Sequence, residues 1–99
     1  MMLGDKIKAE QALNFGMIYK VCEDEHLQQE GLTIANLLAT MPTKGLGLTK
    51  RALNKSLSND LKTQLYLEVE LQAEAGKTFD YNEGVNAFLE KRKPLFKGE

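Results

Sequence analysis

Apolar residues along the chain recur mostly at spacings of three, four and seven, and they separate into five helical stretches. The first covers residues 9–15, with Ala9, Ala12 and Leu13 on one face and Gly16 placed to stop it. Its N-cap position holds Lys8, where Ser, Thr, Asp or Asn would cap better. Residues 17–22 alternate partly and are rich in strand formers, so they form a candidate short extended segment. No second strand-like run follows, so any pairing partner is expected outside the chain. The second helix is expected over 24–40, with carboxylates at its start and a stripe of Leu27, Ile34, Ala35, Leu38 and Met41.

Pro42 fits the first turn of the third helix, which carries Leu46, Thr49, Leu53 and Leu57 on one face and Lys44, Lys50, Arg51 and Lys55 on the other. The break at Ser58-Asn59-Asp60 supplies an N-cap for the fourth helix, residues 60–75, with Gly76 as its stop. That helix has two stripes, one through Leu61, Leu65, Val69 and Gln72 and one through Leu67, Leu71 and Ala75. This is the mark of a helix packed on more than one side. In the fifth, Asp80 reads as the N-cap and Glu83 completes the capping-box spacing. Tyr81, Val85, Phe88 and Leu89 make its stripe. Lys91, Arg92 and Lys93 fall in the last turn, and Pro94 ends the helix at Lys93. The expectation is an all-α fold of about five helices in a single domain over residues 1–99.

At 99 residues the core is thin, since a chain this short buries only somewhat more than roughly 60% of its unfolded surface. With 42% hydrophobic and 27% charged residues the chain is globular rather than disordered. A net charge of -1 gives no general pull toward nucleic acid or an anionic membrane, and the basic third helix lacks interleaved aromatics. No apolar run approaches a membrane span and no signal peptide is visible, so a cytoplasmic protein is expected. The single cysteine, Cys22, and single histidine, His26, offer neither a disulfide nor a full metal or triad set. Glu70 and Glu74 share a face near Glu68, but further ligands are missing, so a solvated acidic face is the better reading. No metal site is expected. The stretch 45–50 lacks phosphate-loop spacing. The strongest functional candidate is the group Phe88, Lys91 and Lys93, an aromatic beside a cationic helix end, although the pattern alone reads first as a core phenylalanine and a cluster of cations opposing the helix dipole.

Three blocks carry a family resemblance. Residues 3–18 (LGDKIKAEQALNFGMI), 41–54 (MPTKGLGLTKRALN) and 80–94 (DYNEGVNAFLEKRKP) resemble, in order and spacing, segments of the crotonase (enoyl-CoA hydratase/isomerase) superfamily. Within that superfamily the chain looks most similar to isomerases of phenylacetate degradation. The resemblance is to the C-terminal third alone. It implies a helical segment that covers the acyl-CoA site and builds trimers or hexamers, without the ββα spiral that holds the oxyanion hole and catalytic carboxylate. No catalytic residue is therefore carried over, and the chain alone is expected to be inactive. The resemblance does imply CoA contacts at Phe88 and Lys91, with a CoA thioester as substrate of the whole enzyme, in phenylacetate or fatty-acid catabolism, and no tightly bound cofactor. Lys8 departs from the Ser usual at its helix start. The rival expectation is a self-standing helical interaction module that does not bind CoA.

Overall fold

The computed structural model describes residues 4–99, so Leu3 of the first block lies outside the described residues. Among the described residues there are five α-helices: α1 (Ala9–Asn14), α2 (Leu27–Ala39), α3 (Thr43–Ser56), α4 (Leu61–Ala75) and α5 (Phe79–Leu89). Residues 17–22 form no strand, and among the described residues there is none. The chain gathers into two compact units, Met1–Ile34 and Ala35–Glu99.

In the first unit, Gly16 takes the left-handed conformation at φ 70°. The N–H groups of Gly16 and Met17 bond back to Leu13 and Ala12, closing α1 with paired orphan carbonyls. The start of α1 is weaker, as its sequence implies. Lys8 offers no side-chain acceptor, and only the reverse bond forms, from the Lys8 N–H to Gln11 Oε1 at 3.0 Å. A 3₁₀ turn at Asp24–His26 precedes α2, so the single helix expected over 24–40 begins as a tighter turn. Lys20 pairs with Glu30 at 2.7 Å, and that bond raises the Lys20 pKa. No residue of α2 is buried, and Leu27 and Leu38 of its apolar stripe are exposed.

The second unit is built on α3 packed against α4. Pro42 sits at the N-cap of α3, one position earlier than expected. Asp60 caps α4 as its sequence position requires, its carboxylate accepting the Thr63 N–H at 2.7 Å. That bond lowers its pKa. Leu48 of α3 and Leu71 of α4 are buried in this unit. Beside them lies Gln64, buried and fully engaged. Its amide donates to the Ala52 carbonyl on α3 at 3.2 Å and to Glu68 at 2.8 Å, and its Oε1 accepts from Asn59 at 3.0 Å. One polar side chain thus ties the two helices and their connecting turn. Of the two stripes on α4, the one through Leu71 is inside. The other, through Leu61, Leu65 and Val69, is exposed.

Two features of α5 correct the sequence reading. Its N-cap is Thr78, not Asp80: the Thr78 hydroxyl accepts the Tyr81 N–H at 3.0 Å. The helix also ends at Leu89 rather than Lys93. Lys91 takes the left-handed conformation at φ 55°. The Lys91 N–H bonds to Phe88 O and the Arg92 N–H to Ala87 O, a Schellman closure without the usual glycine. The three basic residues therefore lie beyond the last turn of the helix.

Candidate functional site

The inward face of α5 is its small one. Asp80 and Ala87 are buried and Gly84 is half-buried, at spacings i, i+4 and i+7. With no bulk on that face, residues 94–99 fold back along the helix as a strap. Both Asp80 oxygens hold it: Oδ1 accepts the Lys97 N–H at 2.6 Å and Oδ2 the Gly98 N–H at 2.8 Å. The Asp80 N–H in turn donates to the Glu99 carbonyl at 3.1 Å. Asp80 is only 2% exposed, and these bonds satisfy the buried charge.

One turn on, Glu83 repeats the device at the rim. It makes a two-pronged pair with Arg92, at 2.5 and 3.0 Å, and accepts the Leu95 N–H at 2.8 Å. Arg92, followed by that N–H, holds the Glu83 carboxyl at about 2, well below the ordinary range. Arg92 also pairs with Glu90, and both partners raise its pKa. The two carboxylates read from the sequence as a local capping box instead reach residues that follow the helix.

The apolar stripe of α5 lies beside this face and borders a groove with it. Tyr81, Val85, Phe88 and Leu89 line one side of a groove of about 450 Å³, with Pro42 at the N-cap of α3, Gly45 of α3, Ala75 of α4 and Phe96 of the strap also lining it. The size is that of a small-molecule site and the lining is mainly apolar. Phe88 is 83% exposed. Lys91 is exposed as well, held by its backbone bond to the Phe88 carbonyl. The sequence reading thus brings together two residues that belong to one turn. The groove itself was not legible, because its Phe96 wall comes from a segment that folds back over the helix. A pattern such as Asp80, Gly84 and Ala87 was the available signal for a close-packed face.

The groove has no free carboxylate. Asp80 borders it, but both its oxygens accept backbone N–H groups. Glu83 is committed to Arg92, and Glu68 to Gln64. Among the described residues, no group of three or more His, Cys, Asp or Glu side chains gathers to hold a metal. No helix among them is long and apolar enough to cross a membrane. The groove therefore offers an apolar lining in which the Asp80 carboxylate is already engaged, with Phe88 exposed at its rim.

Known proteins of similar sequence and backbone give this site its context. Residues 1–99 match the family model described as enoyl-CoA hydratase/isomerase. The chain is 50% identical over 98 residues to the 1,2-epoxyphenylacetyl-CoA isomerase of Escherichia coli, covering 99% of this chain and 37% of that protein. It is 36% identical over 87 residues to the short-chain-enoyl-CoA hydratase of Clostridium acetobutylicum, covering 88% of this chain and 33% of that one. The crystal structure of an enoyl-CoA hydratase from Polaromonas sp. JS666 superposes with a TM-score of 0.89 at 29% identity, over 98% of this chain and 38% of its own. The chain thus spans about a third of the length of the relatives it matches. With the family model matched across residues 1–99, the chain belongs to the enoyl-CoA hydratase/isomerase family.

Proposed function

We propose that residues 1–99 act as one helical segment that closes over the acyl-CoA site of an enoyl-CoA hydratase/isomerase enzyme and joins its subunits. Phe88 and Lys91 are the CoA contacts. The observation that carries this reading is the exposed Phe88 at the rim of an apolar groove, with the Lys91 ammonium three residues away on the same turn. An aromatic face suits adenine or an acyl chain, and an ammonium meets phosphate as a point charge.

Chemistry of this family class needs fixed N–H donors to polarise a thioester carbonyl and a carboxylate to move a proton. The carboxylates nearest the groove are engaged in holding the strap, which supports a covering role without catalysis by this chain alone. The bare stripes on α2 and α4 suit burial against the rest of such an enzyme and against neighbouring subunits. The 50% identity to the Escherichia coli isomerase favours a phenylacetate-derived CoA thioester as substrate, with fatty-acyl thioesters as the other class.

A chimera tests this: residues 1–99 replace the matching segment of the Escherichia coli isomerase. A folded chimera should be active, and Phe88→Ala with Lys91→Ala should raise its KM for the CoA thioester severalfold at little cost in kcat. A folded chimera whose KM ignores both substitutions would overturn the assignment of the contacts.

A further inference from the structure

The strap, residues 94–99, is attached through a small set of directed contacts. Asp80 holds the Lys97 and Gly98 N–H groups, Glu83 holds that of Leu95, and the Glu99 carbonyl accepts from Asp80. The Lys97 ammonium lies 4.1 Å from the centre of the Phe79 ring. Phe96 lies over Gly84, where a side chain on the helix would meet its ring. Gly98 has φ +80° and passes against the Thr43 side chain at the start of α3, in space a Cβ would need. The strap has no helix or strand of its own, and Leu95 is 75% exposed. A segment with no helix or strand of its own, held by a few bonds from two side chains and by the packing of Phe96, opens locally at lower cost than the helices beneath it.

We propose that the strap is a releasable latch, with Asp80 as its positioning residue, and that the groove beside α5 exists only while the latch is closed. Release takes away the Phe96 wall and uncovers Gly84. Anything that fills the closed groove holds the strap down, and anything that loosens the strap weakens what the groove holds, because the coupling is reciprocal. The inference stands on the strap contacts and needs no assumption about the groove's ligand.

Amide exchange and proton shifts of the 99-residue chain, for wild type, Asp80→Asn and Gly98→Ala, test it. Asp80→Asn removes the charged acceptor. Gly98→Ala leaves Asp80 intact and obstructs the strap at Thr43. Both should speed exchange at Lys97 and Gly98, or at Lys97 and Ala where Gly98 is replaced, by at least about tenfold, with α3 and α4 still protected. Both should also move the Gly84 α-proton shifts toward values free of the Phe96 ring current. Wild-type protection of the strap in either folded variant would overturn the proposal. So would loss of protection across strap, α3 and α4 together in both variants, since the strap would then be no separate unit. If Asp80→Asn alone fails to fold, Gly98→Ala decides by the same readings.

Discussion

Lys91 donates its backbone N–H to the Phe88 carbonyl at 3.2 Å while sitting at φ 55°, so the two candidate CoA contacts share one turn and one of them is held in a left-handed conformation. Left-handed geometry costs a residue with a Cβ about 1–2 kcal/mol. Lys91→Gly removes that cost but loosens the unfolded chain, for an expected net gain of about 0.5 kcal/mol in stability. Lys91→Ala keeps the Cβ and should leave stability nearly unchanged. Urea denaturation compares the two. Both lose the ammonium, so both should weaken CoA binding alike, which separates the backbone role of this position from its charge.

Much of the fold was legible because local rules governed it. The helices follow the spacing of their apolar residues, and Asp60 caps α4 because its carboxylate has a free N–H at Thr63 and no competing distant partner. Asp80 and Glu83 satisfy the same local rule and break it. Their partners lie at Leu95, Lys97 and Gly98, beyond the end of the helix, where no short window can see them. The end of α5 was misplaced for a related reason. The usual signal for a left-handed stop is Gly or Asn, and Lys91 carries neither, so Pro94 stood as the nearest visible terminator. Of the candidate site, Phe88 and Lys91 were visible in the sequence and the groove was not.

Gln64 was not singled out by its position in the sequence, yet it is buried and bonded on three sides. Gln64→Leu keeps most of the volume and strips these bonds, leaving the Asn59 amide and the Ala52 carbonyl to find other partners. The expected loss is about 1–3 kcal/mol, read as a lower urea midpoint at unchanged slope. A change below about 0.5 kcal/mol would show that the network contributes little.

The two stripes of α4 should respond differently. Leu71 is buried, and Leu71→Ala should cost about 2–5 kcal/mol. Leu61 and Leu65 are exposed, so Leu61→Ser and Leu65→Ser should change the chain's own stability by less than about 0.5 kcal/mol. The same two serines should reduce self-association, measured by light scattering at high concentration. Wild-type chain that stays strictly monomeric there would count against a subunit-joining role for this face.

The Glu83 carboxyl is held at about 2 against an ordinary 4.5, chiefly by Arg92 and then by the Leu95 N–H. Because its pKa is depressed on folding, Glu83 supports the folded state in full above about pH 4.5. That support declines as the pH falls and is gone below about 2. Glu83→Gln has no charge to lose, so it should be less stable than wild type at pH 6, and the two should converge on acidification. Stability curves that run parallel from pH 6 to pH 2 would mean the ion pair does not act on folding.

The central claim is that the α5 turn meets CoA, and titration of the 99-residue chain with free CoA, followed residue by residue by NMR, tests it most directly. The account predicts saturable shifts centred on Phe88 and Lys91, weakened severalfold in Phe88→Ala and in Lys91→Ala. Shifts centred elsewhere, or the same affinity in both variants, would contradict it.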